Sequence, residues 1–70
     1  MVKVVKVNNA TVEVNNVPDY AMSKRFWVIR EVYDEYWFFG AFNDVTKAYN
    51  SCKELSNGTL IENTEISEND

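Results

Sequence analysis

Hydrophobic and polar positions follow two different periods along the chain, and the change of period divides it. Residues 2–7 (VKVVKV) are β-prone and loosely alternating, residues 11–14 (TVEV) alternate cleanly, and Asn8, Asn9 and Ala10 lie between them as turn material. The pattern predicts a first β-hairpin. Residues 15–19 (NNVPD) break it, because asparagine and aspartate favour turns and Pro18 fixes φ and removes a backbone donor. Residues 20–24 fit either a helical turn or a loop.

Residues 26–42 (FWVIREVYDEYWFFGAF) hold eight of the ten aromatic residues and both tryptophans. Two runs rich in β-branched and aromatic residues flank the polar pair Asp34-Glu35, which predicts a central hairpin. A two-residue loop at that pair sets Tyr33 opposite Tyr36, Val32 opposite Trp37 and Arg30 opposite Phe39. Asp-Glu lacks the glycine or asparagine that tight hairpin turns favour. The period then changes to helical. Asn43 or Asp44 caps a helix whose Val45, Ala48, Tyr49, Cys52 and Leu55 share one face, while Thr46, Lys47, Asn50, Lys53 and Glu54 point away. Asn57-Gly58 offers a left-handed residue to end it. Residues 59–66 read as a last strand, reached by a crossover expected to be right-handed if that strand runs parallel to the one before the helix. The expected fold class is α+β: a small antiparallel sheet of four to five strands in the order β-β-β-β-α-β, packed on one helix. One domain spans residues 1–66, and residues 67–70 form a frayed acidic tail.

At 70 residues the chain has room for one core, of the size that seldom leaves more than roughly 3–5 kcal/mol of stability. Cys52 is the sole cysteine and histidine is absent, so neither an internal disulfide nor a Cys/His metal site can be built, and dense aromatic packing or association must supply the rest. No cofactor is expected. The N-terminal MVKVVKVNN has no uninterrupted apolar run and no segment is long enough to span a membrane, so a cytoplasmic location is the expectation. The net charge of −4 divides into +3 over residues 1–30 and −7 over residues 31–70. This acidic balance argues against general nucleic-acid binding, which depends on neutralising phosphates, and is compatible with docking on a basic surface.

Enzyme chemistry has little support. Without histidine a general base would be a carboxylate or lysine, and the acids cluster at turns, in the last strand and in the tail. Cys52 lies on the apolar helix stripe, where a small buried thiol is expected rather than a nucleophile. Gly40 and Gly58 are the only glycines, too few for a phosphate loop. No catalytic or metal-binding residue is therefore assigned.

The central hairpin is apolar on both faces. One carries Trp27, Ile29, Glu31, Tyr33, Tyr36, Phe38, Gly40 and Phe42, and the other Phe26, Val28, Arg30, Val32, Trp37, Phe39 and Ala41. A 13-residue helix is about 20 Å long and covers one side only. Gly40 would let the helix approach the Phe38/Gly40/Phe42 face, leaving the Trp37/Phe39/Arg30 face for the first hairpin, another copy or a partner. Trp and Arg are enriched at interface hot spots, so Arg30, Trp37 and Phe39, with Phe26 and Arg25 on the same strand, form the expected partner-binding set.

Two resemblances bear on this surface. Residues 35–42 (EYWFFGAF) followed by a helix resemble the central strand of an RNA-recognition motif, with Trp37 and Phe39 as the base-stacking pair, although Glu35 and Tyr36 stand where that family has a basic residue and glycine. The same strand-GAF-helix-strand run is similar to one repeat unit of sporulation-related peptidoglycan-binding domains. Over residues 26–66 the layout resembles small phage-encoded inhibitors of host proteins, such as inhibitors of bacterial RNA polymerase: a strand opened by Phe26-Trp27, a polar turn, an aromatic strand, an acid-capped helix and a final strand. That resemblance implies a non-enzymatic protein-interaction module, an inhibitor or adaptor that binds and occludes a host protein. Single-stranded nucleic-acid binding through the aromatic face and a structural homodimer are the alternatives.

Overall fold

The computed structural model describes residues 2–7 and 9–62. Five strands, β1 (Lys3–Val7), β2 (Ala10–Asn15), β3 (Phe26–Val32), β4 (Glu35–Phe42) and β5 (Gly58–Glu62), form one sheet in the order β1-β2-β4-β3-β5. A 3-10 turn (Asp19–Ser23) precedes β3, and helix α1 (Val45–Lys53) joins β4 to β5. The fold class is the expected α+β, with one difference in the sheet. All pairings are antiparallel except β2 with β4, which run parallel through Val14↔Tyr36 and Asn15↔Trp37. The expected residues 63–66 of the last strand and the tail 67–70 lie outside the described residues.

The central hairpin forms one step away from the expected register. Its loop is Tyr33-Asp34, with φ of 51° and 67°, and Val32 pairs with Glu35, Glu31 with Tyr36 and Arg30 with Trp37. Positive φ at both central positions is the mark of the type I′ turn, whose twist matches that of the flanking strands. This demand overrides the polarity of Asp34-Glu35 and forces a tyrosine into the left-handed region, at a cost of about 1–2 kcal/mol. Replacing Tyr33 with asparagine should therefore raise the melting temperature by about 4–8 °C per kcal/mol recovered. Thermal unfolding followed by circular dichroism checks this.

Moving the loop by one residue shifts each cross-strand pair by two, so side chains near the turn keep their faces. A bulge then changes the rest. Ile29 faces Phe38 but Val28 faces Gly40, leaving Phe39 as the extra residue in β4. Beyond it the parity inverts: Ala41 joins Trp27 on one face, and Gly40 and Phe42 join Val28 and Phe26 on the other. The expected grouping of Phe38 with Gly40 and Phe42 is thereby broken.

The main core lies on the Trp27 face. Trp27, Ile29 and Ile61 pack there with Val5, Val14, Val17 and Ala21, all buried, and Tyr36, Phe38 and Ala41 border them. Phe38 meets Trp27 edge-on at 5.7 Å, and the buried indole N–H donates to the Ala21 carbonyl at 2.7 Å, so the tryptophan leaves no polar atom unsatisfied. The first hairpin thus both extends the sheet, through its short parallel pairing with β4, and curls across this face. An Asn15 amide bond to the Tyr36 carbonyl at 3.1 Å supports the junction.

Helix α1 takes the other face, over β3 with β4 and β5 at its sides. Ala48 and Val28, both fully buried and outside the main cluster, mark the second contact layer. The helix is shorter than expected. The Asp44 carboxylate accepts from the Thr46 N–H at 2.8 Å to cap its start, and nine residues later it closes at Glu54 without a left-handed glycine. Gly58 serves a different purpose: a Cβ there would lie 2.7 Å from the Cys52 carbonyl oxygen and 3.1 Å from both Cys52 Sγ and Leu55 Cβ. Gly58→Ala should accordingly cost about 1–3 kcal/mol, because backbone rather than a flexible side chain must give way. Chemical denaturation would read this as a lower midpoint at unchanged slope. At Gly40 the nearest atoms belong to the Phe42 ring, 3.2 Å away, so this glycine seats Phe42 and is not the point where the helix approaches.

Candidate functional site

The pairing of the strands decides which side of the sheet each candidate side chain takes. Gly58 points toward the helix end at Cys52 and Leu55, Arg30 pairs with Gly58, and Trp37 pairs with Arg30. Cross-strand partners share a face, so Arg30 and Trp37 lie on the helix side of the sheet, while Phe39 is the unpaired residue of the bulge that follows. This reverses the expected arrangement. The sequence pattern puts Arg30 and Trp37 on the side opposite the helix, whereas the first hairpin covers that opposite side and the helix lies on theirs.

The helix nonetheless leaves them open. Its buried contacts run through Ala48 with Ser51, Cys52 and Leu55 half-buried, while Trp37 and Phe39 retain 38% and 45% of their surface and Arg30 is exposed. Nine helical residues measure about 13.5 Å, too little to roof a five-stranded sheet. Val45 and Tyr49, expected on the buried stripe, are exposed instead. They lie about 60° and 100° around the helix from Ala48, and the small Ala48 side chain at closest approach centres the contact away from them. Tyr49 is used locally, with the Lys53 ammonium 5.4 Å from its ring centre. Cys52 is half-buried rather than buried.

Not all of the expected set comes together. Phe26 and Arg25 lie at the far end of β3 from Arg30, beyond roughly 13 Å of extended strand. There the Arg25 guanidinium lies over the Phe26 ring at 5.5 Å and its Nε–H bonds the Glu62 carboxylate at 3.2 Å. The grouped residues are therefore Arg30, Trp37 and Phe39, with Asn15 beside Trp37 on β2. Two further exposed aromatics lie outside the expected set, Tyr20 in the 3-10 turn and Tyr33. Tyr33, placed on a strand face in the sequence reading, stands at the hairpin tip with 95% of its surface free.

Chemically this surface offers two aromatic faces and a guanidinium, suited to apolar contact, cation–π contact and carboxylate pairing. Among the described residues no polar or charged side chain is buried, and no three of His, Cys, Asp or Glu are gathered where a metal would need them. No described helix is long and apolar enough to cross a membrane. No family model, curated protein or solved structure matches the chain.

Proposed function

We propose that this protein is a non-enzymatic protein-interaction module that binds another protein through Arg30, Trp37 and Phe39, in the manner of a small inhibitor or adaptor that occludes its partner's surface. The observation that carries the reading is the exposure of Trp37 and Phe39, two large aromatics two residues apart in β4 that the helix leaves partly open. Their sequestration from water would supply binding energy, and Trp, Phe and Arg are residue types enriched where interface energy concentrates. The acidic second half of the chain favours a partner with a basic rim. A cytoplasmic setting and a host protein as partner belong to the same proposal.

The test is affinity capture from a bacterial lysate with the wild type and with Arg30→Glu, each checked for an unchanged circular dichroism spectrum. A protein retained by the wild type and lost with Arg30→Glu supports the reading. Equal retention by both, or retention of oligonucleotides in place of protein with steep salt dependence, overturns it.

A further inference from the structure

The two ends of the sheet face one another. β1 and β5 are its edge strands, yet the curl that packs Val5 and Val7 with Ile61 brings them to opposite walls of one open groove, lined by Lys6, Val7 and Asn9 on one side and residues 59–62 on the other. Among the described residues no ladder or backbone hydrogen bond joins them. Each edge strand uses one side of its backbone in the sheet and turns the other toward the groove, so donors and acceptors line both walls.

Exposed edges are commonly guarded by charge, proline or bulges. β5 (GTLIE) has none of these until Glu62, and that carboxylate is already engaged by Arg25. Lys6, by contrast, is exposed and makes no ion pair among the described residues. We propose that this groove accepts an extended peptide segment, which adds a strand antiparallel to β5, places alternate apolar side chains toward Ile61 and Val7, and sets an acidic residue beside Lys6. The occupant is thus an alternating, acidic stretch of another protein, bound mainly through its backbone. This site is separate from Arg30, Trp37 and Phe39 and does not depend on the function proposed for them.

The probe is an end-blocked synthetic peptide of alternating valine and threonine with glutamate at both ends, added at about 1 mM to the full chain, a concentration suited to weak recognition. Amide hydrogen exchange is followed by NMR. Exchange within residues 58–62 should slow several-fold, the same peptide with lysine ends should protect less, and Trp37→Ala should keep the effect. A version N-methylated at alternate residues should give none, because it cannot pair. The proposal is overturned if no peptide alters exchange, if the N-methylated peptide works equally well, or if the outward amides of β5 are already fully protected without peptide, since the edge would then be covered within the protein itself.

Discussion

Replacing Trp27 with alanine should unfold the protein at room temperature. Its side chain is fully buried, meets Phe38 edge-on and donates to the Ala21 carbonyl. Removal of such an aromatic costs about 3–5 kcal/mol, the same size as the whole stability expected of a core this small. The Ala21 carbonyl would also lose the indole donor, keeping only the Lys24 N–H at 3.1 Å, and with it a tie that holds the 3-10 turn against the sheet. Far-UV circular dichroism should show loss of strand signal, and the remaining fluorescence, from Trp37, should be that of a solvated indole. A cooperative transition near the wild-type temperature would show that Trp27 is not the centre of the core.

Trp37→Ala should behave in the opposite way, retaining the fold while abolishing capture of the partner. Part of this side chain is already in water, and burial estimates referred to an extended chain overstate the loss, so the cost should be about 1–2 kcal/mol. In a domain of this size that lowers the melting temperature by several degrees without unfolding it. Loss of one interface tryptophan, by comparison, commonly removes 2 kcal/mol or more of binding energy, a thirtyfold weakening or greater. Phe39→Thr provides a second variant that keeps β propensity, and Lys47→Ala on the exposed helix surface is the control. Fluorescence distinguishes the two tryptophans in the same samples: emission should shift to shorter wavelength when Trp37 is removed, leaving buried Trp27. If Trp37→Ala binds its partner as tightly as wild type, the proposed surface is wrong.

The contrast between the two indoles shows where sequence reasoning stops. Their opposite faces were readable from alternation, because Trp27 and Trp37 take opposite parity in a hairpin whose loop holds an even number of residues. Which of them enters the core was not. That depended on where the first hairpin went, and residues 2–14 carry the same apolar alternation whether they extend the sheet or fold over it. The bulge at Phe39 was equally hidden. Nothing in WFFGAF fixes which residue is left unpaired, and the choice follows from seating Phe42 over Gly40 and Ala41 beside the Trp27 core. The Tyr33-Asp34 loop is set by the backbone twist of the strands, which the local polarity of Asp34-Glu35 does not report.

By itself the sequence determined the elements: two hairpins from period-two alternation, a helix opened at Asn43 or Asp44 from the change to helical period, and a fifth strand after Gly58. Local chemistry suffices for these, since propensity, capping and turn residues act within a few positions along the chain. Tertiary structure alone decided which faces meet. The parallel contact of β2 with β4, the curl that turns β1 toward β5, and the small Ala48 that brings the helix down over β3 each join residues far apart in the chain. Such contacts compete on total burial, and the arrangement that encloses Trp27 and Ile29 leaves Trp37 and Phe39 partly in water because nine helical residues cannot cover both ends of the sheet.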